Sequence, residues 1–131
     1  MLKYISLIVL SLTQQSFAET IITPDQFEKL STGKTLYFTY GGQPFGVEQF
    51  FENRRSKWRF EDGHCEDGEW FAENDLICFN YERNLDTQCW HFLKTDDGFG
   101  ARAEGASPND ILKLDRIDSK PLICSGEGLS V

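Results

Sequence analysis

The chain has 131 residues and a formal charge of −8, from 13 Lys+Arg against 21 Asp+Glu, with four cysteines and 14% aromatic residues. That size excludes a multidomain enzyme, and so many aromatics exclude a disordered acidic tail. The negative balance argues against nucleic acid or an anionic membrane surface as partner, because both need a positive field.

The N-terminus, MLKYISLIVLSLTQQSFA, has the three parts of an export signal. Lys3 supplies the positive start and Tyr4 to Leu12 the apolar run. Ser16 and Ala18 supply the small residues at positions −3 and −1. The run falls short of the roughly 20 residues that span a bilayer, so no membrane span is expected after cleavage. The reading divides the chain into a signal over 1–18 and one β-rich domain over 19–131. The domain then carries 12 positive and 21 negative side chains. Export to the periplasm or beyond places Cys65, Cys78, Cys89 and Cys124 in an oxidising compartment, where four cysteines suggest two disulfides.

Thr23, Pro24 and Gln26 form a helix-start pattern, Phe27 and Leu30 share one face, and Gly33 can stop the helix. A short helix over 24–31 is expected. Period-two alternation follows in Leu36, Phe38 and Tyr40, then the less regular FGVEQFFENRR, then Trp58 and Phe60. EDGHCEDG carries two Asp-Gly pairs, 62–63 and 67–68, each a hairpin signal, so the next strand is expected to begin at Trp70. Asn74-Asp75 turns the chain into Ile77, Phe79 and Tyr81. After the loop ERNLDT come Trp90 and Phe92, a weaker strand near 99–104, and a last strand over 111–117. The tail SGEGLSV is expected to fray. Strands at about ten-residue spacing indicate an antiparallel meander closed into a small barrel or sandwich.

Turn arithmetic gives a register. With a two-residue turn at Asn74-Asp75, Trp70 falls opposite Phe79 on the inner face. With a four-residue loop at Glu82–Leu85, Cys78 falls opposite Cys89 and Ile77 opposite Trp90. Cys78–Cys89 with Cys65–Cys124 is the preferred pairing, although spacing leaves the other two connectivities open.

Four groups of residues could carry chemistry. Residues 37–99 hold 15 of the 16 aromatics beyond residue 18, and Trp58, Trp70 and Trp90 fall on successive strands. They would either line a barrel interior that takes an apolar ligand or simply fill a solid core. Arg54, Arg55, Lys57 and Arg59 could bind an anion, but pairing across strands with Glu66, Asp67 and Glu69 is the simpler expectation. Glu48, a charge among Gly46, Val47, Phe50 and Phe51, is the residue expected to be drawn inward and to pair with Arg54 or Arg55. The carboxylates Glu61, Asp62, Glu66, Asp67 and Glu69 lack calcium-loop spacing, and nothing selects two of them as a hydrolase pair. His64-Cys65 and Cys89-Trp90-His91 lack zinc spacing and would need reduced thiols. No catalytic motif, metal set or cofactor fingerprint is present.

GEWFAENDLICFNYERNLDTQCWHF resembles a group of small exported proteobacterial proteins of unknown function. The shared pattern is Gly-x-Trp, Ile-Cys-Phe-x-Tyr and Cys-Trp-x-Phe, matched by Gly68, Trp70, Ile77, Cys78, Phe79, Tyr81, Cys89, Trp90 and Phe92. The preceding FGVEQFFENRRSKWRFEDGHC resembles the same group, and the likeness covers roughly residues 27–124. It implies export and a β-rich fold, and lends no activity.

The expectation is therefore an exported non-enzymatic β-domain that binds a small ligand or an envelope protein. Glu48, Arg54, Arg55, Trp58 and Trp90 are its candidate contacts. A small carboxylate-dependent hydrolase and a purely structural envelope protein are the alternatives.

Overall fold

A computed structural model describes residues 9, 11 and 19–125, without the side chains of residues 84 and 85. Apart from residues 9 and 11, the expected signal lies outside the described residues, as does the tail beyond 125.

The helix α1, Pro24–Ser31, begins where the local chemistry places it. The Thr23 hydroxyl accepts from the Gln26 N–H, and the Gln26 side chain accepts from the Thr23 N–H. This reciprocal pair satisfies two N–H groups that the first turn cannot. A two-residue strand, β1 (Thr20–Ile21), precedes it, and the remaining strands are antiparallel. They are β2 (Thr35–Tyr40), β3 (Gln43–Phe50), β4 (Arg55–Arg59), β5 (Cys65–Glu73), β6 (Leu76–Tyr81), β7 (Asn84–Thr95), β8 (Gly98–Ala103) and β9 (Leu112–Asp118).

Each of β2 to β9 pairs with the next, and β9 pairs back onto β2. The sheet is thus a closed eight-stranded up-and-down barrel, not a sandwich. β1 pairs along the edge of β7 past the end of its β6 pairing, through Thr20 opposite Lys94 and Ile21 opposite Leu93. The disulfides are Cys65–Cys124 and Cys78–Cys89, so all four cysteines are engaged. The first fastens the C-terminal segment to the start of β5, where the Ser125 N–H also donates to the Gly63 carbonyl at 2.7 Å.

The expected register holds at Trp70–Phe79, Cys78–Cys89 and Ile77–Trp90. Two expectations about turns fail. Asp62-Gly63 does turn the chain, with Gly63 at φ 93°, but Asp67-Gly68 lies inside β5. Gly68 is there for space: a Cβ would come within 2.7 Å of the Tyr81 ring. The β6–β7 connection is also tighter than four residues. Tyr81 pairs with Asn84, and an irregularity between Phe79 and Tyr81 restores the register by Cys78.

The barrel interior divides into two halves. At the end nearer α1, Phe27 is fully buried and its ring lies 5.3 Å from Phe50, 5.1 Å from Trp70 and 4.3 Å from Phe92. Ile77 and Leu36 complete this packed cluster. The guanidinium of Arg54, in the turn Glu52–Arg54 between β3 and β4, covers Trp70 at 4.5 Å from the ring centre. One helix side chain therefore closes one end of the barrel. Phe27→Ala should cost about 3–5 kcal/mol, as expected for emptying a fully buried aromatic site. Urea denaturation measures it, and a loss below about 1 kcal/mol would show that α1 does not plug the barrel.

Candidate functional site

The other half of the barrel is hollow. A cavity of about 540 Å³ lies among the inward side chains of β2 to β9, within the range of small-molecule sites. Its aromatic walls include Phe38, Trp58, Phe79, Tyr81, Trp90 and Phe92, with Ala101 and Leu112 on the last two strands. Phe45, Glu61, Asp62, His64 and Gln88 are exposed and form its rim. Trp70 belongs to the packed half, so the cavity takes two of the three tryptophans. Two backbone choices make room for its rings. Besides Gly68 beneath Tyr81, a Cβ on Gly46 would overlap the Trp58 indole at 2.1 Å.

Glu48 is the most deeply buried acidic group of this wall, only 4% exposed. Alternation along β3 puts it on the inner face with Gly46 and Phe50, opposite Trp58 on β4. The Tyr81 hydroxyl donates to Glu48 Oε1 at 2.7 Å. Burial pushes the Glu48 carboxyl up to about 7, against a weaker opposing effect of the Tyr81 hydrogen bond and of the buried Ser56 hydroxyl. The Tyr81 phenol is driven far upward, first by burial and then by the Glu48 charge, so it remains a neutral donor. The expected pairing of Glu48 with Arg54 or Arg55 is incorrect. Arg54 instead meets Glu28 of α1, Nε to Oε1 at 3.4 Å, while Arg55 is exposed and opposite Glu69. Neither arginine lines the cavity.

Of the acidic turn, Asp67 and Glu69 alternate to the outside, opposite Lys57 and Arg55. Glu66 faces inward and lines the cavity, one strand beyond Trp58. At the rim, His64 stacks on Phe60 with ring centres 4.3 Å apart, and its Nδ1 meets the Asp62 carboxylate. The Asp62 carboxyl is held below its ordinary value, first by the His64 backbone N–H and then by the His64 ring. Among the described residues, the one cluster with metal-ligand proximity is Glu73, Cys78 and Cys89, and both of its sulfurs form a disulfide.

The structure thus gathers Glu48, Trp58 and Trp90 around one cavity and sets Arg54 and Arg55 apart. Tyr81 is a polar member that sequence reading did not name as a contact, and Glu66 was read only as one of a cluster of acidic turn residues. Tyr81 had a signal, since it shares a face with Ile77 and Phe79 and carries a hydroxyl that needs a partner. The chain matches no family model, no curated protein and no solved structure.

The burial of Glu48 has a consequence for stability. Its native carboxyl titrates near 7, against 4.5 ordinarily. The unfolded chain therefore releases this proton first, and the stability it confers is full below about pH 4.5 and lost as pH rises through 7. Glu48→Gln abolishes that loss. The stability of the variant relative to the parent should rise by up to about 3 kcal/mol between pH 4.5 and 7.5. Denaturant midpoints across that range test this, and a constant difference would contradict it.

Proposed function

We propose that this chain is an exported, non-enzymatic β-barrel that binds a small apolar or aromatic ligand in its half-filled interior. The observation that carries the reading is the cavity. A protein interior normally packs to crystal-like density, and the other half of this barrel does so around Phe27. Leaving about 540 Å³ open beside it sacrifices contacts that a few larger side chains on β8 and β9 would supply. Ala101 stands at the inward position of β8 instead. The signal-like N-terminus and the two disulfides support export. No described helix is long and apolar enough to cross a membrane. The resemblance to small exported proteobacterial proteins belongs to the same proposal.

A carboxylate hydrolase remains the second reading, now with specific residues. Glu48 and Glu66 share the cavity wall on strands separated only by β4. Two strand spacings put their backbones about 10 Å apart. Hydrolytic turnover lost in both Glu48→Gln and Glu66→Gln would favour it over simple binding.

The binding test uses N-phenyl-1-naphthylamine, a weakly basic probe that is neutral at pH 7 and brightens in apolar surroundings. It should bind saturably with one probe per chain and quench the emission of Trp58 and Trp90. Ala101→Phe, which fills the cavity from β8, should weaken binding at least tenfold with an unchanged β-sheet circular dichroism spectrum. Absence of saturable binding by the folded parent protein would overturn the proposal.

A further inference from the structure

Resting on that ligand-binding reading, we propose that the cavity selects a protonated amine carried on an aromatic or apolar body, with Glu48 as its counter-ion. Three independent features of the site point the same way.

The first is the sign of its charges. Glu48, Glu61, Asp62 and Glu66 line the cavity, and none of its described lining residues is Lys or Arg. His64 is its one basic group, and that ring already meets Asp62 at the rim. Arg59, which lies against Gly63 of the same turn, alternates to the outer face with Lys57. A carboxylate or phosphate ligand would enter an uncompensated negative field, which rejects it as effectively as a steric clash would.

The second is the state of Glu48. Among the described residues, Tyr81 provides its one well-formed side-chain hydrogen bond, and that bond engages Oε1. The buried Ser56 hydroxyl also acts on this carboxyl, but neither hydroxyl carries a positive charge to offset it. An ammonium group supplies that missing positive charge. Tyr81 does more than satisfy Glu48, because its hydroxyl holds the carboxylate from β6 at the wall of the same cavity.

The third is the wall around the carboxylate. Trp58 stands directly opposite Glu48 on the neighbouring strand, and Phe79, Tyr81 and Trp90 line the same space. Aromatic faces carry negative electrostatic potential, so desolvated rings attract a cation that they could not attract if it were an anion. The same rings accommodate the ligand's apolar body. An acidic group embedded among aromatics is thus complementary to both parts of an amphiphilic amine. For a purely apolar ligand the buried charge would be a cost with no return.

Three probes that share an indole body and differ in head group make the test: tryptamine, tryptophol and indole-3-acetate. Each displaces N-phenyl-1-naphthylamine from the folded protein at pH 7.5. Tryptamine should compete at least tenfold more tightly than tryptophol, and indole-3-acetate should be the weakest. Glu48→Gln should bring tryptamine to within about threefold of tryptophol. Glu66→Gln should retain a tryptamine preference, since it leaves the Glu48–Tyr81 pair intact. Equal affinity of tryptamine and tryptophol for the parent protein would overturn the inference, and that comparison needs no variant to fold. So would an amine preference that survives in Glu48→Gln. If the naphthylamine binds and the head groups are not distinguished, only the amine selectivity fails. If neither the naphthylamine nor any indole binds, the ligand-binding reading fails with it.

Discussion

Closure of the sheet is the constraint on which the rest of the structure depends. Once β9 pairs with both β8 and β2, every inward side chain faces a fixed volume. An eight-stranded barrel encloses a space that is just large enough to be filled by side chains or to hold one small ligand. In this chain side chains fill one end and leave the other open. Phe27 enters from α1 and joins Phe50, Trp70 and Phe92 in a packed cluster, so the helix acts as a stopper. Beyond that cluster, the inward positions include Gly46, Gly68 and Ala101, and the space between the large rings stays open.

The hollow half is also where the chain places a charge. Burying Glu48 without a cationic partner is unfavourable, and the upward displacement of its titration measures that penalty. The fold tolerates it because Tyr81 supplies a hydrogen bond and the packed half and the disulfides supply stability elsewhere. Stability and titration therefore meet at one carboxylate. The Cys65–Cys124 bond has a related role at the rim, because it fastens the C-terminal segment beside the turn that carries Asp62 and His64.

Local chemistry was legible in the sequence wherever it acted locally. The bounds of α1 followed from Thr23, Pro24 and Gln26, since a helix start is decided within four residues. The pairing of Cys78 with Cys89 followed from alternation and turn length, although a shorter turn and an irregular Phe79–Tyr81 step compensate each other there. The misreadings arose where tertiary packing overrode a local signal. Asp67-Gly68 looks like a hairpin turn, yet its glycine serves the Tyr81 ring. Arg54 looked like a partner for Glu48, but Glu28 and Trp70 claim it from distant parts of the chain. That Glu48 would turn inward was readable from its apolar neighbours. Its partner, 33 residues away across the barrel wall, was not.

The character of the hollow half depends on Glu48 being a buried carboxyl at its wall. Carbon-detected NMR of the side-chain carboxyl groups, followed from pH 3 to pH 9, measures this directly. The Glu48 resonance should titrate with a midpoint near 7. A midpoint near the ordinary 4.5 would show that water or a cation reaches the group freely, and would contradict the buried site described here.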